Sequence, residues 1–225
     1  MFVDIHTHLD NQAVIRILDD SFDEKVLTTW GIHPWDVSCH FDWSEAEWRN
    51  LLQLDEISPL PAVGRNDVVA IGEVGLDKVH KETFDKQIQV FEEMIRLSES
   101  YKKPMIVHCV RAYSEIIEIR KKTKAEMPWV IHGFNSSVET MRQLLRYDMY
   151  ISLGEILYRN ENQAVKILKD IPLDRLFLET DVSERDIKDV YAKAASLLGC
   201  DLDILCRQIF ENYGRLETTH TDINR

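Results

Sequence analysis

Residues 68–77 read VVAIGEVGLD, and the reading of this stretch decides the fold. Its first part, Val68 to Ile71, is apolar at every position, which marks a strand buried on both faces and hence a parallel sheet covered by helices. Its second part sets a carboxylate, Glu73, between two glycines where the apolar run ends. The same plan recurs in FVDI (2–5), VLTTW (26–30), PMIV (104–107), WVI (129–131), MYISL (149–153) and RLFLE (175–179). Between most of these runs lie stretches of helical spacing, such as Phe84, Ile88, Phe91 and Ile95, or Ile187, Val190, Tyr191 and Ala194, each laying one apolar stripe along a helix. Ser136, with Glu139 three residues on, is a candidate capping box for a helix carrying Val138, Met141 and Leu145. Strand and helix alternate, which predicts an α/β fold, either an open parallel sheet or a closed barrel. One crossover fits poorly: within NQAVIRILDDSFDEK (11–25) the segment AVIRIL is too short to tell helix from strand, so a barrel would be distorted there or lack its first crossover helix. DEISPLPAVGRND (55–67), with two prolines and a glycine, reads as a loop.

At 225 residues the chain fits one domain better than two. We expect a single barrel domain over 1–217 and a polar tail, TTHTDINR, over 218–225. With 44% hydrophobic and 29% charged residues and only 8 Gly and 6 Pro, the composition excludes collagen, low-complexity disorder and membrane-embedded classes. The 27 basic residues against 39 acidic ones leave a net charge of −12, which offers duplex DNA or an anionic bilayer no long-range attraction. No positive segment leads into an apolar one at MFVDIHTHLD, and no run of 18 apolar residues occurs. The four cysteines form no CxxC pair, so reduced thiols and a cytoplasmic location are expected.

Chemistry gathers at the carboxyl ends of the apolar runs. Asp4, His6 and His8 end the first run, His33 the second, Glu73 the third, His108 the fourth, His132 the fifth, and Glu179 and Asp181 the last. In an α/β barrel that face carries the active site. His6 and His8, two apart on an extended chain, leave the same face about 6.5 Å from each other and can share a cation. Alone, each histidine is more often a surface group or a buried one bonded to a carbonyl; their agreement over several strand ends reverses that weighting. Four imidazoles and two carboxylates on one rim exceed the needs of one tetrahedral ion, which suggests two metals bridged by a carboxylate, with Glu73 the best placed. The nitrogen and oxygen donors suit two divalent cations such as zinc, manganese, iron or cobalt, with magnesium also open, better than calcium. Asp4 and Glu179 are candidates to accept the second ring N–H of a ligating histidine, with core hydrogen bonding the equal alternative. His33, Lys78, His80 and Arg111 stand in rim loops and are candidate contacts to an anionic substrate, against turn capping or solvation.

The motifs DIHTHLD (4–10), GIHP (31–34), AIGEVGLD (70–77), PMIVH (104–108), IHGF (131–134) and LETD (178–181), together with Asn212, are similar in residues and order to the TatD-like metal-dependent hydrolases of the amidohydrolase superfamily. The resemblance spans almost the whole chain. It implies a TIM-like (β/α) barrel and a two-metal site, with His6, His8, Glu73 and Asp181 around one cation and Glu73, His108 and His132 around the other. It also implies phosphodiester hydrolysis, as in a TatD-type deoxyribonuclease. Departures fall at Gly133, at Lys78 in place of an aromatic, and at Val182 to Arg185 in place of a proline-containing segment. They spare every ligand position and bear on substrate.

The leading expectation is therefore an enzyme in which metals acidify a bridging water, the hydroxide attacks phosphorus, and Asp181 with Glu73 manages the chemistry at the catalytic centre. Substrates would be phosphodiesters, DNA ends or single strands that can reach a recessed metal pair. An amidohydrolase acting on a C–N or carboxyl ester bond is the alternative. A histidinol-phosphatase-type barrel would want more histidines in the later strands, and a catalytically silent metal-binding scaffold is disfavoured by the intact ligand set.

Overall fold

Each of the seven apolar runs forms a strand in the computed structural model, which describes residues 1–9, 12–18, 24–38 and 68–218. The strands are β1 Phe2–Leu9, β3 Glu24–Trp30, β4 Val68–Asp77, β5 Met105–Val110, β6 Trp129–Ile131, β7 Tyr150–Leu153 and β8 Leu176–Leu178. The ambiguous segment supplies an eighth, β2 Gln12–Leu18. The sheet order follows the chain from β1 to β8, and an isolated parallel bridge between Thr7 and Asp181 closes it on itself as a barrel.

The expectation of a wholly parallel sheet needs one correction. β2 runs antiparallel to both neighbours, pairing Val3 with Ile17 and Ile15 with Leu27. Only two residues separate β1 from β2, a length that suits a hairpin, whereas a helical crossover needs a dozen or more. The β-branched Val14, Ile15 and Ile17 favour the extended chain. Because β2 reverses direction and reverses back, β1 and β3 still run the same way, and all seven other strands point their carboxyl ends at one rim.

Among the described residues the α-helices are α1 Phe84–Tyr101, α2 Tyr113–Thr123, α3 Val138–Leu145, α4 Ile156–Arg159, α5 Glu161–Asp170, α6 Ile187–Leu198 and α7 Leu202–Thr218. The expected stripes face inward. Phe91 and Ile95 of α1 are buried with Phe84 and Ile88 packed against them, and Ile187, Val190, Tyr191 and Ala194 of α6 are all buried. Asp186 caps α6 by accepting from the Lys188 N–H, and Gly199 ends it at φ 67°. The cap of α3 is Ser137 and not Ser136: its hydroxyl accepts from Thr140 N–H at 3.2 Å, because the helix starts one residue later than the Ser136–Glu139 spacing suggested. Thr218 ends α7, so most of the polar tail, like the loop read at 55–67, lies outside the described residues. No described helix is long and apolar enough to cross a membrane.

Closure rests on buried polar contacts. Asp4 accepts from Thr180 N–H at 2.9 Å and from the Thr180 hydroxyl at 2.6 Å, and Asp181 N–H donates to the His6 carbonyl at 3.0 Å. Behind β1, the Tyr191 hydroxyl donates to the Val3 carbonyl at 2.9 Å and accepts from Val3 N–H at 3.1 Å. Both residues are fully buried. Tyr191→Phe strands two buried backbone groups and should lower the unfolding free energy by about 1–3 kcal/mol, read from urea titration; an unchanged midpoint would show that the hydroxyl does not hold α6 to β1.

Candidate metal centre

Six strand ends deliver seven side chains to one point. His6 and His8 come from β1, His33 from the turn after β3, Glu73 from β4, His108 from β5, His132 from just past β6 and Asp181 from just past β8. Glu73 stands in the middle, and its two oxygens face different partners. Oε2 lies 3.2 Å from His6 Nε2 and 3.4 Å from His8 Nε2, and these two nitrogens lie 3.5 and 3.6 Å from Asp181 Oδ1. Oε1 lies 2.7 Å from both His108 Nδ1 and His132 Nε2, and 3.2 Å from His33 Nε2. His6 is fully buried and Glu73 and His132 nearly so, while His8 and Asp181 stand at the wall of an open cavity of about 450 Å³.

The glycines around Glu73 make this position reachable. A Cβ on Gly72 would meet Ile106 Cβ at 2.6 Å, and one on Gly75, at φ 151°, would stand 2.0 Å from the His108 carbonyl oxygen. β4 and β5 therefore approach closer than any side chain permits. The far end of β4 is pinned by Gln87 of α1, whose side chain accepts from Asp77 N–H at 2.7 Å and donates to the Asp77 carbonyl at 3.2 Å.

Electrostatics follow from the crowding. Burial pushes the Glu73 carboxyl up, but His132, His108 and His33 outweigh it and hold the group far below the usual carboxylate range. Burial works against a charged His132, yet Glu73 and Glu179 hold its proton well above the ordinary imidazole value. The same balance at Asp181, where hydrogen bonding to His6 opposes burial, keeps its carboxyl ionised at neutral pH.

The donors fit divalent cations. Three groups, His6–Glu73–His132, His6–His8–Asp181 and His33–Glu73–His108, each bring their ligand atoms within 4.8 Å of one another. His108 Nδ1 lies 3.3 Å from His132 Nε2, two ring nitrogens aimed at each other, and the buried His6 Nε2 sits between the carboxylates of Glu73 and Asp181 at 3.2 and 3.5 Å. Nitrogen lone pairs converging in this way are satisfied by a cation or by protons.

The chain belongs to the TatD-related DNase family. Its family model matches residues 1–218. Among curated relatives, the deoxyribonuclease Tat-D of Schizosaccharomyces pombe is 27% identical over 173 residues, 75% of this chain and 55% of that protein. The human 3'-5' RNA nuclease TATDN2 is 34% identical over 180 residues, 74% of this chain and 22% of that protein. This TatD-family chain thus spans about half or less of the length of these two relatives. Others bear the name metal-dependent hydrolase. The solved structure of YJJV, a TatD homologue from Escherichia coli, superposes with a TM-score of 0.71 at 23% identity, covering 85% of this chain and 76% of that one, a likeness of fold.

Within this TatD-family barrel the residues singled out from sequence separate into groups. His6, His8, Glu73, His108, His132 and Asp181 converge as just described. Glu179 stands behind a ring without bonding it: its Oε1 lies 3.6 Å from His132 Nδ1 and accepts instead from Gly133 N–H. Asp4 backs no ring, because Thr180 takes both of its oxygens. Asn212 donates to the carbonyls of Leu173 and Leu176 and ties α7 to β8. Among the candidate substrate contacts His33 lines the cavity, whereas Lys78, His80 and Arg111 are not among its described lining. The Lys78 ammonium is taken by Glu115 at 2.5 Å, His80 tilts against Trp35 at 5.5 Å, and Arg111 is exposed. Trp35, Gln87 and Thr180 escaped the sequence reading; Thr180 stood inside the LETD motif, but nothing local marked the other two.

Gly75→Ala should cost about 1–3 kcal/mol of stability through overpacking between β4 and β5. Chemical denaturation reads this, and a variant as stable as the parent would mean that β5 moves aside freely.

Proposed function

We propose that this chain hydrolyses phosphodiester bonds in nucleic acids, at ends or in single strands, with two divalent cations held by His6, His8, Asp181 and Glu73 on one side and by Glu73, His108 and His132 on the other. The observation that carries the reading is the division of Glu73: Oε2 facing His6 and His8, Oε1 facing His108 and His132, the arrangement a carboxylate needs to span two ions. When bound, divalent cations supply positive charge for phosphate oxygens and lower the pKa of an attacking water. The donor set is consistent with zinc, manganese, magnesium or cobalt.

The protein's own groups supply the rest. Asp181, ionised and a third exposed at the cavity wall, accepts the proton of the attacking water as general base. Glu179 stands behind His132, and Thr180, held by Asp4, sets the backbone from which Asp181 projects. His33 accepts the Trp35 backbone N–H on Nδ1 at 3.2 Å, which holds its ring with Nε2 turned toward Glu73 and the cavity, where it meets the substrate. A cluster of imidazoles and cations receives the anionic substrate, which reconciles it with the chain's net charge of −12. On this reading residues 1–217 form one hydrolase domain with 218–225 as its tail. The free thiols of Cys109, Cys200 and Cys206 support a cytoplasmic location.

Metal-stripped protein re-titrated with manganese or zinc should take up two ions per chain by elemental analysis, and His6→Ala with His8→Ala should remove one and weaken the other; folded protein that takes up none would sink the assignment. Asp181→Asn keeps the size of the side chain but cannot accept a proton. At matched metal occupancy its turnover of an oligonucleotide should fall by roughly 10² to 10⁴, and turnover within a few-fold of the parent would assign the proton elsewhere.

A further inference from the structure

Trp35 is the large aromatic at the lip of the cavity, and it is 56% exposed. An indole left this open would normally be free to turn, yet polar contacts fix this one. Its Nε1–H donates to Asp77 Oδ2 at 2.7 Å, and its backbone N–H donates to His33. Asp77 is itself buried and has little freedom to follow: its other oxygen accepts from Val79 N–H at 2.7 Å, and its backbone is held by Gln87. The indole is thus anchored by one edge, and its ring stands at right angles to His33, centroids 4.8 Å apart, and 6.1 Å from His108. His33 Nε2 in turn lies 3.2 Å from Glu73. Val182, 77% exposed, lines the same cavity.

We infer that Trp35 is the platform on which the base of the nucleotide at the cleaved bond stacks, so that the chain selects base-bearing strands without selecting their sequence. This rests on the phosphodiesterase reading above. A phosphate among the imidazoles places its own nucleoside within one residue's reach of the cavity lip, where the exposed indole face is the flat apolar surface on offer. Stacking of a base on an aromatic side chain is strong and indifferent to base identity, since every base has a π-face. Fixation by Asp77 means that the ring is already oriented when substrate arrives, so little freedom is lost on binding. His80, its ring tilted 49° to that of Trp35 with centroids 5.5 Å apart, also packs against the platform.

The test compares wild type, Trp35→Ala and Trp35→Phe, loaded with manganese, on a single-stranded oligodeoxynucleotide and on the same strand with an abasic residue at the cleaved position. Binding is read by fluorescence anisotropy and cleavage by KM and kcat. Wild type should favour the base-bearing strand by about tenfold to hundredfold in Kd and KM. Trp35→Ala should bring that ratio close to one, mainly through KM, and Trp35→Phe should restore most of it although it cannot bond Asp77. If Trp35→Ala weakens both strands equally, or if Phe fails to rescue, Trp35 only props His33 and Asp77 and the platform is wrong. If wild type cleaves the strand and Trp35→Ala keeps the full ratio, stacking is wrong while the phosphodiesterase reading stands. If wild type neither binds nor cleaves any phosphodiester, both fall.

Discussion

The seam between β1 and β8 is the contact on which the rest of the molecule depends. Elsewhere each strand is paired with its chain neighbours, but the first and last strands meet through the Thr7–Asp181 bridge, the backbone bonds of His6 and His8 with Asp181, the Thr7 hydroxyl on Asp181 and Thr180, and the clasp of Asp4 on Thr180. In an open sheet His6 and His8 would stand at one edge and Asp181 at the other. Closure is what brings residues 176 positions apart to hydrogen-bond distance. The clasp lies in the core, where burial pushes the Asp4 carboxyl up to about 7 against the two bonds from Thr180. A group that burial disfavours in its charged form is retained because nothing apolar would hold Thr180, and with it Asp181, in register.

Glu73 is another buried carboxylate, and its setting is the reverse. Imidazoles surround it and outweigh the cost of burial, whereas at Asp4 burial outweighs the two bonds from Thr180. The same residue type therefore serves structure on one side of the barrel mouth and the proposed ion site on the other. An excess of acidic residues over the whole chain does not prevent a locally anion-receptive centre, because the field at the mouth is set by groups within a few ångströms and not by charges spread over the solvated surface.

The rim is assembled by residues that hold other residues. Gln87 pins Asp77; Asp77 holds both the Trp35 indole and the Val79 backbone; the Trp35 backbone N–H donates to His33. Gly72 and Gly75 let β4 press against β5 so that Glu73 and His108 can meet. Side chains supported in this manner keep their geometry without paying for it when substrate binds.

Sequence by itself determined the alternation of strand and helix, the seven parallel strands, the family and the six convergent residues, because buried strands are written as unbroken apolar runs and the site residues sit at their ends. It could not decide whether AVIRIL was helix or strand: six residues are too few for a period to emerge, and only the two-residue connection to β1 and the vacant place in the barrel wall made it β2. Nor could it separate Asp4 from Glu179, both carboxylates near a histidine, since the difference lies in what stands opposite: Thr180 for one, His132 for the other. Lys78 shows the same limit, a cation in a rim loop whose partner, Glu115, is 37 residues away and near only in space. Local pattern records burial and backbone shape, which each residue carries with it; partnership between distant side chains exists only once the barrel has closed.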